Sequence, residues 1–232
     1  MTEIIEFLEP VDIVLDIGCG IVPQEYVHAK VNICCDPFPQ YLEVLREKIR
    51  TRTDRVFVLV NSDWSRAVEL FPKNSVDTVI LVDVIEHLKK AEALKLLQAT
   101  NQIARRQIAI FTPLGFMPQH QQTQTDAWGL DGGEWQEHKS GWQPEDFGTE
   151  WRIYASEVFH THDSNGELFE VPYGAMWVVK TKSGISKTHQ SPSDNKRNSL
   201  YSLTNRFVEK SPRFVVEPMY QIFKILSKII RL

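Results

Sequence analysis

Seven residues near the start, Val14-Leu15-Asp16-Ile17-Gly18-Cys19-Gly20, constrain this chain most, together with Asp36, sixteen residues beyond Gly20. An apolar run enters a glycine turn, and a second apolar run, Val31-Asn32-Ile33-Cys34-Cys35, ends on the acid. Glycines turn without a Cβ, so a ligand can lie against the main chain. An acid about 20 residues beyond such a turn takes the hydroxyls of a ribose. The pattern predicts a nucleoside-binding βαβ unit. Two details narrow the nucleoside. The dinucleotide fingerprint wants a third small residue where this chain has Pro23, so close packing over a pyrophosphate is not supported. Asp16 stands two residues before Gly18, where a carboxylate repels phosphate and attracts a cation. A positively charged nucleoside without phosphate satisfies both.

Short apolar runs at 12–17, 31–35, 56–60, 77–83 and 107–112 alternate with helical patterns at Gln40–Arg50 and Lys89–Arg105. Alternation of this size implies a parallel sheet covered on both faces. Two further strand-like runs, Arg152–Phe159 and Ala175–Thr181, flank the turn signal Asp163-Ser164-Asn165-Gly166. The stretch 113–151 is too long for a simple connection, and its Trp128, Trp135, Trp142, His120 and His138 argue against disorder. It reads as the acceptor-binding insertion.

In this order along residues 11–182, the chain resembles the class I S-adenosylmethionine-dependent methyltransferases. Their cofactor carries a sulfonium and an ammonium and no phosphate. The resemblance implies an α/β, Rossmann-like, doubly wound sheet of seven strands, mostly parallel with the last antiparallel. It carries cofactor contact to Asp16, Gly18, Cys19 and Gly20, and ribose contact to Asp36 and Pro37. Asn61-Ser62-Asp63-Trp64 matches the loop that holds adenine, with Ser62 and Asp63 as polar contacts and Trp64 either stacking or core. Asp83-Val84-Ile85-Glu86-His87-Leu88 resembles the end of the fourth strand. An unpaired carboxylate at Asp83 is costly in a core, so it should face the cofactor pocket or a backbone donor. Glu86 reads as support for the loop. A dehydrogenase using a dinucleotide and a non-catalytic cofactor-binding module are the alternatives.

Methyl transfer to a hydroxyl requires loss of a proton, for which histidine suits neutral pH. Three candidates stand out. His138 lies in Glu137-His138-Lys139-Ser140-Gly141-Trp142, which resembles the His-x-Ser-x-Trp stretch of some methyltransferases of bacterial glycan biosynthesis. Catalytic base, acceptor contact and structural residue all stay open for it. His120 lies earlier in the same loop, and His87 either faces the methyl group or caps a helix. A divalent cation on Asp131, Glu134 and Glu137 competes with a solvated acidic cluster; the solvated reading is preferred and no metal is assigned.

Residues 183–232 hold nine basic residues against three acids, 9 − 3 = +6, which leaves −10 of the total −4 for residues 1–182. An acidic body argues against a nucleic-acid partner, so a small-molecule or glycan acceptor is expected. Ser183–Ser199 reads as a linker. Met219, Ile222, Phe223, Leu226, Ile229 and Ile230 share one face of a basic amphipathic C-terminal helix. That helix either packs on protein, a homodimer partner included, or lies on an anionic membrane surface. No apolar run approaches the ~20 residues that span a bilayer, and Glu3 and Glu6 do not suit a signal peptide. Cys19, Cys34 and Cys35 fit neither a zinc site nor a disulfide framework. The expected residence is cytoplasmic, with peripheral contact at the inner face of the membrane if the helix binds lipid.

Overall fold

Residues 7–119, 125–163 and 166–182 are described by the structure, a computed structural model. His120, the Ser164-Asn165 turn, the linker and the amphipathic helix lie outside the described residues. Seven strands form one sheet: β1 (Val11–Ile17), β2 (Ala29–Asp36), β3 (Val56–Asn61), β4 (Val76–Val82), β5 (Ala104–Leu114), β6 (Arg152–His162) and β7 (Leu168–Thr181). Their order is β3-β2-β1-β4-β5-β7-β6. The first five run parallel, and β7 is antiparallel to both neighbours, as the resemblance implied. Strand order reverses between β1 and β4, so their carboxyl ends open the crevice where sheets of this kind bind ligands.

The alternation of each strand sorts side chains between two faces. Leu15, Val79, Leu81, Ile108, Ile110, Met176 and Val178 pack with Ala93, Leu96 and Leu97 of α3 (Lys90–Ile103) and Ala67 of α2 (Trp64–Leu70). On the other face α1 (Pro39–Ile49) sets Leu42 and Leu45 against Cys34. β4 is buried along nearly its whole length, which explains why its sequence is continuously apolar after Asp77 and Thr78. Buried Asp77 is not left unpaired: Oδ2 accepts from the Asp12 and Ile13 amides at 3.0 and 2.9 Å, and Arg105 Nε donates to Oδ1 at 2.6 Å.

The first crossover differs from the expected βαβ unit, because residues 18–28 contain no helix. Pro23 supplies no amide hydrogen there, and the Gln24 side chain organises the segment instead. Its Oε1 accepts from Val27 N at 2.8 Å, and its Nε2 donates to Val27 O and to Asn32 Oδ1. Val27 and partly buried Tyr26 then cover Val14, Ile80, Ala109 and Trp177 where a helix would have lain. The three cysteines are buried and unbridged. Among the described residues no helix is long and apolar enough to cross a membrane.

Candidate active site

β1 delivers Asp16 and the glycine turn to the crevice. Gly18 and Gly20 adopt φ of +75° and +56°, the left-handed region. A Cβ on Gly18 would stand 2.6 Å from Val84 Cγ2, so this glycine lets the turn after β4 close onto the turn after β1. The Gly18 and Cys19 amides donate to Cys35 O at 2.7 and 3.2 Å, and Gly20 N donates to Asp36 Oδ2 at 2.9 Å. Phe38 N donates to Asp36 Oδ1, also at 2.9 Å. Each carboxylate oxygen has two lone pairs, so Asp36 shapes the turn and keeps one site per oxygen for ribose hydroxyls. Cys19 is buried within the turn, and Pro37 is partly exposed at its rim.

Burial pushes Asp16 up to about 7, with Asp36 adding repulsion against a lowering hydrogen bond from the Gln24 amide. Burial likewise raises Asp36 to about 6, opposed by its bonds from Phe38 and Gly20. Two acids held this way gain most from a cationic ligand.

At the end of β3, Asn61 Nδ2 donates to the Asp36 and Pro37 carbonyls, and Ser62 N to Asp36 O, so the third expected contact loop is tied to the second. Asp63 caps α2, its Oδ1 accepting from Arg66 N at 3.0 Å and Ser65 Oγ at 2.7 Å. Trp64 opens that helix and packs against the core. Asp83 follows β4 at φ +52° and is exposed toward solvent; its amide donates to Phe111 O.

Just beyond, a tight turn at Ile85–His87 meets the long insertion. The Lys139 and Ser140 amides donate to Glu86 O at 2.7 and 3.0 Å, and Ser140 Oγ donates to Ile85 O at 3.1 Å. Trp142, fully buried, donates from Nε1 to Ser140 Oγ. A Cβ on Gly141 would stand 2.6 Å from Phe116 N, so only glycine fits between the two passes of the loop. The Ser and Trp of the His-x-Ser-x-Trp stretch thus staple the insertion to the turn after β4, and the staple brings His138 beside His87. Their rings lie 4.8 Å apart. Burial, then neighbouring His138, push His87 down to about 3, so it is neutral at physiological pH. Buried Glu86 accepts from Thr112 Oγ1 at 3.0 Å, and its pKa is raised by burial and by Asp83. His160 on β6, also lowered by burial and His138, stands at about 4.

Sequence reading did not foresee that Glu86 joins the two histidines. It also missed a second clasp on the insertion: Tyr41 of α1 donates to Asp126 Oδ2 at 2.5 Å, and Trp128 packs edge-on against Tyr41 with centroids 4.7 Å apart. The same indole stands over Gly20, 3.0 Å from where a Cβ would be, and so walls the cofactor crevice. The acids considered for a cation do not converge: Asp131 and Glu134 are exposed, and among the described residues they join no metal-competent group.

Residues 15–107 match the methyltransferase-domain family. No curated protein sequence matches the chain. Among solved structures, a protein from Bacillus halodurans C-125 proposed to be a methyltransferase aligns over 78% of this chain and 98% of its own, at 10% identity and TM-score 0.53. An S-adenosylmethionine-dependent methyltransferase from Leishmania major aligns over 74% of this chain and 65% of its own, at 12% identity and TM-score 0.50. One from Archaeoglobus fulgidus covers 74% and 86%, at 16% identity and TM-score 0.47. At such identities the likeness is one of fold. With the family match lying over β1 to β5, the crevice is that of a methyltransferase domain. The family match supports an S-adenosylmethionine-dependent methyltransferase with S-adenosylmethionine as its cofactor, and nothing in it supports the dinucleotide reading.

The donor set fits that cofactor: two buried carboxylates for a cationic nucleoside, and a glycine turn without Cβ atoms against which it can lie. Asp36 would hold the ribose, Asp16 and the turn the charged amino-acid end, and the Asn61–Trp64 loop the adenine. When bound, the cofactor supplies an electrophilic methyl group on sulfur.

Proposed function

We propose that this enzyme O-methylates a hydroxyl of a small molecule, with a sugar or glycan as the leading acceptor. The observation that carries the reading is the convergence of Glu86, His87 and His138, each offering a ligand or base atom within 4.8 Å of the others, just past the strand end that carries Asp83 and Val84. In an in-line displacement the acceptor oxygen forms the new C–O bond as the C–S bond breaks, and the hydroxyl proton must go elsewhere. The simplest use of the cluster is direct. His138 Nδ1 lies 2.7 Å from Met117 O; a carbonyl only accepts, so Nδ1 carries the hydrogen and Nε2 carries the lone pair that takes the proton. A module that merely held the cofactor would have no use for buried base atoms at this end. Trp135, 39% exposed, and partly buried Trp128 offer flat apolar faces suited to pyranose rings. A screen with methyl-labelled cofactor, starting with sugar nucleotides and oligosaccharides, tests the reading. An alkali-stable label on an acceptor oxygen is expected. Label found on nitrogen, or in a base-labile ester, would reject it.

A further inference from the structure

Glu86, 2% exposed, leaves Oε1 without a hydrogen-bond partner, while Oε2 accepts from Thr112. The Asp83 carboxyl stands against Glu86 and raises its pKa, so this pair of acids is met either by a proton shared between the two carboxyls or by a cation. Two imidazoles face Glu86. His87 Nδ1 lies 3.1 Å from Glu137 O and His138 Nδ1 2.7 Å from Met117 O. Both rings therefore carry hydrogen on Nδ1 and a lone pair on Nε2. Histidines oriented by a carbonyl through one nitrogen, beside a carboxylate fixed by a hydroxyl, form the arrangement that outer-shell partners impose on metal ligands. One donor atom from each of Glu86, His87 and His138 lies within 4.8 Å of the others. Three ligands sharing one ion at bonds of about 2.0–2.2 Å and tetrahedral angles stand roughly 3.4 Å apart, so side-chain rotations that draw the three atoms together by about an ångström close the set.

We infer that Glu86, His87 and His138 form a binding site for a divalent transition-metal ion. Two imidazoles and one carboxylate suit zinc, cobalt, manganese or iron(II), whereas magnesium and calcium prefer shells of oxygen. Three protein ligands leave coordination positions open, and two of those ligands sit in the turn that follows β4, whose carboxyl end borders the crevice. The use of the ion rests on the O-methylation reading; its binding does not. A hydroxyl on the ion ionises more readily. Its proton passes to solvent, the C–O bond forms as the C–S bond breaks, and His138 then acts as a ligand in place of a free base. The residues responsible lie about fifty positions apart in the chain, which is why sequence alone assigned no metal here.

The test uses the full chain without a polyhistidine tag, stripped with chelator and dialysed separately against Zn²⁺, Co²⁺ and Mg²⁺. Metal content per chain and the visible spectrum of the Co²⁺ form are the readouts. About one equivalent of Zn²⁺ or Co²⁺ should be retained, with no retention of Mg²⁺. Glu86→Gln and His138→Ala, each checked for fold by circular dichroism, should bind at least tenfold more weakly with unchanged S-adenosylhomocysteine affinity. Absence of retained Zn²⁺ and Co²⁺, or equal retention by both variants, overturns the site. Retention with no methyl transfer to any oxygen would keep the metal site and sink the O-methylation reading. Full methyl transfer to oxygen by a metal-free enzyme would overturn the catalytic use of the ion and keep the O-methylation reading.

Discussion

At the cofactor end, Gly18, Gly20 and Asp36 are held by hydrogen bonds between adjacent strand ends, whereas at the acceptor end His87 and Ser140 are held by bonds that span 50 and 55 residues. The first end is local geometry on a rigid sheet. The second is an insertion pinned onto that sheet by a serine, a buried tryptophan and a glycine that tolerates no Cβ. On the proposed reading, the contrast teaches how a common cofactor crevice would serve a particular acceptor: the sheet would fix where the methyl group arrives, and the staple what meets it. It also implies that the two ends can be damaged separately.

His138→Ala should do so most strongly. Loss of a base or ligand at the acceptor end should lower kcat by about 10²–10⁴-fold, with cofactor affinity unchanged by calorimetry. A matching loss of cofactor affinity would break the separation of the two ends.

Acidity should act on the other end. Asp16 and Asp36 are raised to about 7 and about 6, and a cationic cofactor binds best when they are ionised. Affinity for S-adenosylmethionine should therefore fall as pH drops below 7, by up to about tenfold per unit for each acid and roughly 500-fold between pH 7 and pH 5 for the pair. The effect on stability has the opposite sign. Carboxyls whose folded pKa is raised above an unfolded value of about 4 stabilise the free protein below that pH and lose the contribution as pH rises through 6 to 7. The cofactor-induced rise in Tm should accordingly grow between pH 5 and pH 7.5. A flat profile would show that the two acids do not face the bound charge.

Ser140→Ala sharpens the comparison at smaller scale. It removes one bond to Ile85 O and one from Trp142 Nε1, leaving both partners buried, at about 1–3 kcal/mol. Thermal unfolding should report that loss, and kcat should drop through displacement of His138 while cofactor affinity holds. Normal kcat at reduced Tm would mean that the staple stabilises the loop without positioning the histidine.

Sequence conveyed the two ends unequally for the same reason. Asp16, Gly18, Gly20 and Asp36 were legible because strand alternation and glycine turns are local, and because β1, β2 and β4 lie next to one another by a general rule of such sheets. Residues 18–28 were misread as a helical crossover, since the Gln24 side chain that organises them looks in sequence like any surface glutamine. The cap role of Asp63 was available from its place just before Trp64-Ser65-Arg66, where an acid commonly opens a helix. Nothing local signals that Ser140 reaches Ile85, that Asp126 takes the Tyr41 hydroxyl, or that Trp128 stands on Gly20. Those contacts depend on how a long insertion folds back.

The most direct test of the account is calorimetric titration of S-adenosylmethionine and NAD into the wild-type chain and Asp36→Ala at pH 7.5. Asp36 is assigned two charge-assisted bonds to the ribose in addition to its hold on Gly20. The account predicts one site for S-adenosylmethionine, none for NAD, and affinity at least about tenfold weaker in the variant with the fold retained. Equal affinity in a folded Asp36→Ala chain, or preference for NAD, would contradict it.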